Sequence, residues 1–428
     1  MPDDAGTRAA GRARSAAAVN IADTRRESGV PRDLQRFLCV DDFEAAARRH
    51  LPRMLYGFVS GACETDLSLR DNREAFAEWG FIPRGLVDVT GRSTRTTLLG
   101  RDYAAPFGIP PMGASALSAY RGDVVLARAA AAAGIPMILS ASSLIPLEEV
   151  RREGGPTTWY QAYLPGEPGR IEPLVDRVGA AGFDTFVLTI DVPVSANREN
   201  NVRNGYALPL RPNLNLAWQG VSHPRWLLGT ALRTLRRHGM PHFENMDAGR
   251  GPPVLSADLI RKVGRRDGLA WEHLELIRRR WPGKLLIKGV MAREDARIAR
   301  ESGVDGVMVS NHGGRQLDGA VSPLRVLPEI AEEARGAMAV MLDGGVRRGT
   351  DVLKALALGA QFVFVGRPFL YAAAVRGEAG VAHGIRLLRE EIDRDMAMLG
   401  ITSPSQMTRE SLRRIRGAAC QAEAAGAR

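Results

Sequence analysis

The chain contains few cysteines and few lysines. Only three of its 428 residues are cysteine, Cys39, Cys63 and Cys420, and no two of them form a C-x-x-C pair. This pattern argues against both a zinc site and a disulfide framework, and we expect no metal site. Four lysines stand against 54 arginines. Because lysine is so rare in this chain, a lysine at the end of a predicted strand, such as Lys288, is a candidate functional residue.

Long apolar runs are also absent. No run approaches the roughly 18 residues that a membrane-spanning helix requires, and the N-terminus lacks the basic-then-apolar order of a secretory signal. We therefore expect an intracellular protein. A hydrophobic content of 45% and a charged content of 25% are typical of a globular protein.

The net charge of +10 is concentrated in one segment. Residues 203–268 contain eleven Lys or Arg and four Asp or Glu, and eleven minus four gives a surplus of +7. The sequence contains neither a helix-turn-helix nor a finger motif, and the basic segment lacks interleaved aromatic residues. We therefore expect no nucleic-acid partner.

The ends of the chain differ from its middle. Residues 1–34 are rich in Ala, Arg, Gly and Ser without periodicity, which predicts a disordered tail. We expect a single domain over residues 35–415, with the basic segment 203–268 as an insertion, and a C-terminal tail over residues 416–428.

Eight short apolar runs, bounded by Gly, Pro or polar residues, are typical of buried strands. Stretches with helical spacing lie between most of them, such as Val124–Ala133 and Asp351–Leu358. This alternation predicts an α/β protein with a TIM (β/α)8 barrel. The predicted strands cover residues 107–110, 136–139, 158–161, 185–190, 284–287, 306–309, 339–342 and 362–365.

One interval between the predicted strands is much longer than the others. Strands four and five begin 99 residues apart, at positions 185 and 284, and the basic segment lies between them. Connections longer than about 15 residues are uncommon in compact domains and are often functional. We therefore expect this insertion to have a role.

The active sites of TIM barrels lie at the carboxyl ends of the strands. Side chains able to donate, accept or carry charge occur there in this sequence. They are Gln161 and Tyr163 after strand three, Thr189 and Asp191 after strand four, Lys288 after strand five and His312 after strand six.

The ten residues Ser310–Gly319 follow strand six and carry the clearest chemical signal. A neutral imidazole at His312 can accept a proton, and the Arg315 guanidinium can bind a carboxylate through two hydrogen bonds. A lone histidine is more often structural, Lys288 could pair with a barrel carboxylate, and Asp191 could cap a loop. Taken together, these residues favour a site that deprotonates a small acid.

Glycines and arginines follow the last two strands, in Asp343-Gly344-Gly345-Val346-Arg347 and Gly366-Arg367-Pro368. Barrels commonly bind phosphate at this position through backbone amides and guanidinium groups. Tight turns alone would be a simpler explanation. We expect a cofactor that carries a phosphate.

Several of these motifs, in this order and spacing, resemble the FMN-dependent L-2-hydroxy acid dehydrogenase and oxidase family. The resemblance extends from about Leu38 to Leu412. Within the family, the chain is most similar to the bacterial L-lactate and mandelate dehydrogenases. The motifs are Lys288-Gly289, Ser310–Gly319, Asp343–Gly349 and Gly366–Pro368, together with His223–Trp226, Arg237–Pro241 and Val321–Pro323.

The resemblance implies roles for the residues that would react with or bind the substrate. His312 would be the catalytic base and Asp191 would orient it. Arg315 and Arg198 would hold the substrate carboxylate, and Tyr163 would bond to the carboxylate or the hydroxyl. The proton could leave oxygen, with hydride transfer, or carbon, with a carbanion.

The resemblance also implies an FMN site. Lys288 would stabilise the negative charge of the reduced ring. The other residues would contact the ring, the ribityl chain or the phosphate. They are Pro111, Met112, Gly113, Ser140, Gln161, Thr189, Ser310, Asp343, Gly345, Arg347, Gly366 and Arg367.

One position departs from the family pattern. In the segment Tyr56–Gly61 the family usually has a tyrosine where this chain has Phe58, and the hydroxyl of that tyrosine helps to bind the substrate carboxylate. Losing one such hydrogen bond weakens binding by roughly 1.5–3 kcal/mol unless another donor replaces it. Phe58, together with Gly113, which would leave space beside the flavin ring, favours a bulkier or less polar acid.

The basic segment contains a predicted amphipathic helix. Leu228, Ala231, Leu232 and Leu235 recur at helical spacing within residues 224–240, among four arginines. Such a helix can lie in a membrane interface or pack against the barrel or a neighbouring subunit. The resemblance favours peripheral attachment to the cytoplasmic face of the inner membrane, with electrons passed to quinone or another carrier, and it implies a homotetramer.

Two other functions compete with this interpretation. An oxidase of the same family would pass the electrons to oxygen and release hydrogen peroxide. A barrel of a different class would bind flavin or phosphate without redox chemistry. The combination of His312, Asp191, Arg315 and Lys288 argues against the second.

Overall fold

The structure is a computed structural model that describes residues 30–206, 209–210, 213–256 and 266–415. The predicted tail at 416–428, most of that at 1–34 and part of the insertion lie outside these residues. The chain divides into two units, Met1–Leu38 and Cys39–Arg428. In the first unit, the described residues form a run of turns, in which the Gln35 side-chain amide donates to the Val30 carbonyl at 3.0 Å.

The second unit contains the strands. Each of the eight predicted strands is present and begins within one residue of its predicted position. Within the described residues the strands are β1 Trp79–Phe81, β2 Thr96–Leu98, β3 Arg101–Tyr103, β4 Phe107–Gly108, β5 Met137–Ser140, β6 Thr158–Ala162, β7 Thr185–Thr189, β8 Lys284–Val290, β9 Gly306–Val309, β10 Ala339–Asp343, β11 Phe362–Phe364 and β12 Leu412–Arg414.

Strands β4 to β11 form a parallel sheet in the order β4-β11-β10-β9-β8-β7-β6-β5. Ile109, directly after β4, pairs in parallel with Met137 at the beginning of β5. The Ile138 amide also donates to the Ile109 carbonyl at 2.9 Å. These contacts join the two ends of the sheet into a closed barrel, so the predicted TIM-barrel fold is confirmed.

Large apolar side chains fill the barrel. The Phe362 ring lies 5.6 Å from that of Tyr103 and 5.5 Å from that of Phe364, and the Trp159 ring lies 5.7 Å from that of Phe364. Leu98 and Tyr103 belong to the antiparallel β2–β3 hairpin and join this buried cluster beside the first residues of the barrel strands. The hairpin therefore covers the amino ends of the strands, and the carboxyl ends remain available for a ligand.

Helices connect the strands in the part of the chain that the structure describes, and the predicted stretches Val124–Ala133 and Asp351–Leu358 coincide with two of them. The helices are α1 Asp42–His50, α2 Arg53–Ser60, α3 Leu67–Ala77, α4 Ser115–Ser118, α5 Gly122–Ala132, α6 Leu147–Gly154, α7 Pro168–Ala180, α8 Glu199–Arg203, α9 Leu214–Val221, α10 Pro224–Trp226, α11 Arg233–His238, α12 Trp271–Arg280, α13 Arg293–Glu301, α14 Pro323–Ala334, α15 Gly349–Ala357 and α16 Arg367–Leu399, which is kinked at Arg376 and Gly377.

The long connection between β7 and β8 contains the predicted amphipathic helix. Residues 224–238 are helical, with a π-helical stretch at Leu227–Leu232 between α10 and α11. One side of this segment is anchored to the barrel, because Trp226 is buried and its Nε1 donates to the Leu117 carbonyl at 2.8 Å. Leu228 and Leu232, by contrast, are exposed. Within the described residues, no helix combines the length and the apolar character needed to cross a bilayer.

The barrel core provides a test of the packing. We expect Phe362→Ala to lower the free energy of unfolding of the FMN-loaded protein by about 3–5 kcal/mol, because it removes a fully buried ring and leaves a cavity. Met398→Ala, at an exposed position, should change it by less than about 0.5 kcal/mol. Denaturant titration monitored by circular dichroism measures both, and equal losses would contradict this account of the core.

Candidate active site

A cleft of about 790 Å³, part of which is open to solvent, lies at the carboxyl ends of the barrel strands. The residues that the sequence analysis predicts for the site fall into two groups. Those that line the cleft are Phe58, Pro111, Met112, Gly113, Tyr163, Lys288, His312, Arg315, Asp343, Gly345, Arg347, Gly366 and Arg367.

The other six predicted residues do not line the cleft but adjoin it. Ser310 bonds to Lys288, Asp191 to His312, and Arg198 to the Arg315 carbonyl. Ser140 and Gln161 bond to each other, and Thr189 pairs with Lys288 across the sheet. The structure therefore brings all the predicted site residues to one end of the barrel.

The backbone at His312 is strained. Its φ of +57° is one that residues other than glycine rarely adopt, and its amide donates to Ser310 Oγ at 3.1 Å. The next two residues are glycines that also have positive φ. At Gly314, an added Cβ would lie 2.7 Å from the amide nitrogen of Leu69, so a larger residue would push this loop away from α3. Close packing against α3 thus supports the loop that carries His312.

The two ring nitrogens of His312 have different partners. Nδ1 lies 2.8 Å from Asp191 Oδ1, which places the imidazole proton on Nδ1. Nε2 is then the basic nitrogen, and the Tyr163 hydroxyl lies 3.3 Å from it. Burial lowers the pKa of His312 below its usual value, Asp191 opposes this effect, and Lys288 lowers the pKa further. The imidazole is therefore neutral near pH 7 and able to accept a proton.

Asp191 remains ionised beside this histidine. Burial acts to raise the pKa of Asp191, but the interactions with His312, including its hydrogen bond, and with the charge of Lys288 outweigh it and the pKa is lowered. A carboxylate in this position fixes the ring and stabilises the imidazolium that forms when His312 accepts a proton.

Lys288, at 2% exposure, is a buried cation at the carboxyl end of β8. Its Nζ donates to Ser310 Oγ at 2.8 Å and lies 3.0 Å from Asp343 Oδ2. Burial acts to lower the pKa of Lys288, but Asp343 and Asp191 outweigh it and the pKa is raised. The cleft therefore contains a fixed ammonium group.

Arg315 and Arg198 form a pair of guanidinium groups that no carboxylate neutralises within the described residues. Arg315 Nη1 donates to the carbonyls of Phe58 and Gly61, each at 2.8 Å. Arg198 Nε donates to the Arg315 carbonyl at 3.0 Å, and its Nη2 donates to Gln316 Oε1 at 2.5 Å. Burial, together with Arg198 and Arg367, lowers the pKa of Arg315 well below its usual value. The positive charge of Arg315 is therefore energetically unfavourable, and an anion bound beside it would stabilise that charge.

The loops after β10 and β11 bring two more guanidinium groups to the cleft. Arg367 donates to the carbonyls of Val59 at 3.1 Å and Gly313 at 2.9 Å. Arg347 is buried, and its Nε lies 3.1 Å from Asp41 Oδ1. Burial and the nearby Arg367 lower the pKa of Arg347 to about 10. These two cations, beside the Gly344-Gly345 backbone, suit a phosphate group.

Several buried polar atoms near the cleft have no hydrogen-bond partner within the described residues, and two of them belong to barrel strands that end there. They are Gln161 Nε2 on β6 and Thr189 Oγ1 at the end of β7. Gln161 Oε1, in contrast, accepts from Ser140 Oγ at 3.2 Å. Buried polar atoms are normally paired, so these positions indicate a ligand with polar edges. Together with Lys288 and the arginines near β10 and β11, they fit both ends of FMN.

The sequence analysis did not predict four residues near the site. The Arg266 guanidinium lies 4.4 Å from the centre of the Tyr163 ring, and Tyr206 stacks on Phe58 with their ring centres 4.4 Å apart. Asn72 and Asn311 exchange buried hydrogen bonds of 2.8 Å between α3 and the His312 loop. Arg266 falls within the basic segment and Asn311 within the Ser310–Gly319 motif. Nothing in the sequence pattern assigns Tyr206 or Asn72 to the site.

Comparison with known proteins agrees with this geometry. Residues 47–414 match the family model described as FMN-dependent dehydrogenase. An L-lactate dehydrogenase from Pseudomonas entomophila is 39% identical over 380 residues, which cover 88% of this chain and 98% of that protein. The (S)-mandelate dehydrogenase of Pseudomonas putida is 37% identical over 366 residues, covering 86% of this chain and 91% of that protein.

Solved structures show the same similarity. The crystal structure of the monotopic membrane protein (S)-mandelate dehydrogenase superposes with a TM-score of 0.81 at 35% identity, covering 89% of this chain and all of that one. A mandelate oxidase variant superposes with a TM-score of 0.73 at 34% identity, covering 89% of this chain and 99% of that one. The chain therefore belongs to the FMN-dependent dehydrogenases, and it is an FMN enzyme that oxidises L-2-hydroxy acids.

Proposed function

We propose that the enzyme oxidises an L-2-hydroxy acid in the size range of lactate to mandelate to its 2-oxo acid, and that a quinone then takes the electrons. The observation that carries the first part is the position of His312. Its Nδ1 is bound by Asp191, and the ring shares the cleft with Arg315, a cation without a carboxylate partner among the described residues. A base and an anion-binding group in one cleft suit a substrate that binds through its carboxylate and gives another proton, from its hydroxyl or the adjacent carbon, to the base.

In this proposal the substrate carboxylate binds to Arg315 and Arg198. Both guanidinium groups keep nitrogens that bond to no described residue, since Arg315 uses Nη1 and Arg198 uses Nε and Nη2. Tyr163 lies next to His312 Nε2 and bonds to the substrate hydroxyl or carboxylate. Such charge-assisted hydrogen bonds hold the carbon that bears the hydroxyl close to the base.

His312 then accepts a proton at Nε2, from the substrate hydroxyl or from the carbon beside it, and Asp191 stabilises the resulting imidazolium. FMN, when bound, accepts the two electrons. Lys288 provides a fixed positive charge beside this chemistry, which favours the development of negative charge in the cleft. The residues that would hold FMN are the polar groups of β5, β6 and β7 and the arginines near β10 and β11.

The pH dependence of substrate oxidation tests the base. We expect the second-order rate constant for anaerobic bleaching of the flavin by the acid to rise with pH and to level off, because only neutral His312 accepts a proton. The inflection should lie below 6.5, the usual pKa of histidine, since burial lowers the pKa of His312. Stopped-flow absorbance over a series of pH values measures it.

Two variants check this assignment. His312→Gln should keep its flavin but lose roughly 10²- to 10⁴-fold in the bleaching rate. Asp191→Asn removes the charge that raises the pKa of His312, so the inflection should move to lower pH and the plateau should fall. Full bleaching of the His312→Gln protein at the normal rate would refute the assignment of the base.

The phosphate site gives a separate prediction. Arg347→Met should speed the loss of FMN on dilution of the holoenzyme and weaken FMN binding roughly ten- to a hundredfold, because one charge-assisted hydrogen bond is lost. Arg297→Met, on the exposed face of α13, is the matched control and should leave FMN binding unchanged. Released flavin is measured by its fluorescence. Equal retention of FMN in both variants would exclude Arg347 from the site.

We also propose that the insertion attaches the enzyme to the cytoplasmic face of the inner membrane. Three exposed apolar side chains lie on α9, at intervals of four and three residues that place them on one face of the helix. Three more exposed apolar side chains lie on the helical segment 224–238. They are Leu214, Trp218 and Val221, and Leu228, Leu232 and Leu235. Arg225, Arg233, Arg236 and Arg237 are exposed among them. Exposed apolar residues with arginines suit an anionic bilayer surface. The homotetramer and the domain limits remain predictions.

Membrane attachment can be measured by co-sedimentation with phosphatidylglycerol vesicles at low salt. The wild-type holoenzyme should sediment with them, and the triple change of Trp218, Leu228 and Leu232 to Ser should leave it in the supernatant. A matched triple change of the exposed residues Ile82, Leu86 and Met398 to Ser should have no effect. Wild-type protein that ignores the vesicles would overturn the proposal.

The electron acceptor is tested on the reduced enzyme. Rapid reoxidation by a soluble quinone under anaerobic conditions, with slow reoxidation by oxygen, is the expected result. Rapid oxygen consumption with release of hydrogen peroxide would identify an oxidase instead.

A further inference from the structure

Phe58 occupies the wall of the cleft with a side chain that cannot form a hydrogen bond. It lies on α2, and its ring stacks on that of Tyr206, with the ring centres 4.4 Å apart and the planes inclined by 24°. The Arg315 guanidinium lies 5.1 Å from the centre of the same Phe58 ring. Tyr206 therefore reaches the substrate side of the barrel from the beginning of the insertion.

The Tyr206 hydroxyl is buried and has no hydrogen-bond partner within the described residues. The charged groups that act on it are guanidinium groups. Burial raises the pKa of Tyr206, and the positive charges of Arg315 and Arg198 act in the opposite direction. The phenol is therefore protonated at neutral pH and lies in the field of both cations.

A hydroxyl among guanidinium groups lacks an acceptor for its proton. Guanidinium groups are donors only, so Arg315 and Arg198 can donate to the tyrosine oxygen but cannot accept from it. A buried donor without an acceptor is unfavourable, and the same cations attract an anion. A carboxylate held by the two arginines would supply the acceptor that the Tyr206 hydroxyl lacks.

We infer that the Tyr206 hydroxyl donates a hydrogen bond to the substrate carboxylate and, from the stacked ring beside Phe58, replaces the hydroxyl that Phe58 lacks. The inference rests on the proposed binding of the carboxylate by Arg315 and Arg198. It also assigns different roles to the two rings. Tyr206 contributes the polar contact, while Phe58 presents an apolar surface to the cleft and to the rest of the acid.

The test compares Tyr206→Phe with the wild-type holoenzyme. The dissociation constant of the 2-oxo acid product, measured by isothermal titration calorimetry, should rise roughly tenfold or more, because one hydrogen bond to a charged group is lost. KM for the hydroxy acid should rise with it while kcat changes less, and FMN retention should stay the same. Tyr56→Phe is the matched control, because its hydroxyl bonds to Glu44 at 3.2 Å, and it should bind the acid normally.

A double variant separates hydrogen bonding from packing. Phe58→Tyr combined with Tyr206→Phe moves one oxygen atom from one ring to the other, and it should restore most of the lost affinity. The neutral amide of the same acid should bind equally to wild type and to Tyr206→Phe. An unchanged dissociation constant in Tyr206→Phe, or an equal loss for acid and amide, would overturn the inference.

The outcomes also distinguish this inference from the proposed function. If no 2-hydroxy acid bleaches the wild-type flavin, the proposed function fails whatever Tyr206 does. If the acid bleaches the flavin normally and Tyr206→Phe binds the 2-oxo acid as tightly as wild type, only the role of Tyr206 fails.

Discussion

Positive charge enclosed by the cleft is the constraint on which the site depends. Lys288 and Arg347 are buried beside Asp343 and Asp41, whereas Arg198 and Arg367 lie close enough to Arg315 to lower its pKa. Arg315 and Arg367 bond to backbone carbonyls, which satisfy donors but cancel no charge. Enclosed charge is unfavourable unless it is paired. The anionic groups of substrate and cofactor thus complete an electrostatic balance that the described side chains leave open.

The insertion is attached to the barrel near the loop that carries Pro111–Gly113. Trp226 donates to the Leu117 carbonyl, and the Tyr120 hydroxyl lies 2.9 Å from His238 Nε2. The Arg233 guanidinium also lies 3.9 Å from the centre of the Tyr120 ring. These contacts hold one side of the helical segment against the barrel while its leucines remain exposed. The helical segment with its exposed leucines is therefore held by residues that closely follow Pro111–Gly113 in the chain.

The sequence predicts the barrel well because its signals are local. Each strand is a short apolar run, and the residues that follow it must lie at one end of the barrel, so His312 and Lys288 could be placed together without coordinates. Tyr206 could not be placed in this way. Its position depends on packing against Phe58 of α2, which lies far away in the sequence. A single tyrosine in an insertion belongs to no sequence motif that would predict this contact. The π-helical turn at Leu227–Leu232 also departs from the regular helix that the leucine spacing predicts.

The end of helix α2 connects two parts of the site that look separate. The Gly61 carbonyl accepts from Arg315 at 2.8 Å and from Arg367 at 3.2 Å, so one peptide group holds both the arginine proposed to bind the carboxylate and the arginine proposed to bind the phosphate. A ligand that binds to either arginine alters the hydrogen bond between that arginine and the Gly61 carbonyl. By thermodynamic linkage, any effect of the cofactor on substrate affinity must be matched by an equal effect of the substrate on cofactor affinity. Gly61 is a contact that the two proposed ligand sites share.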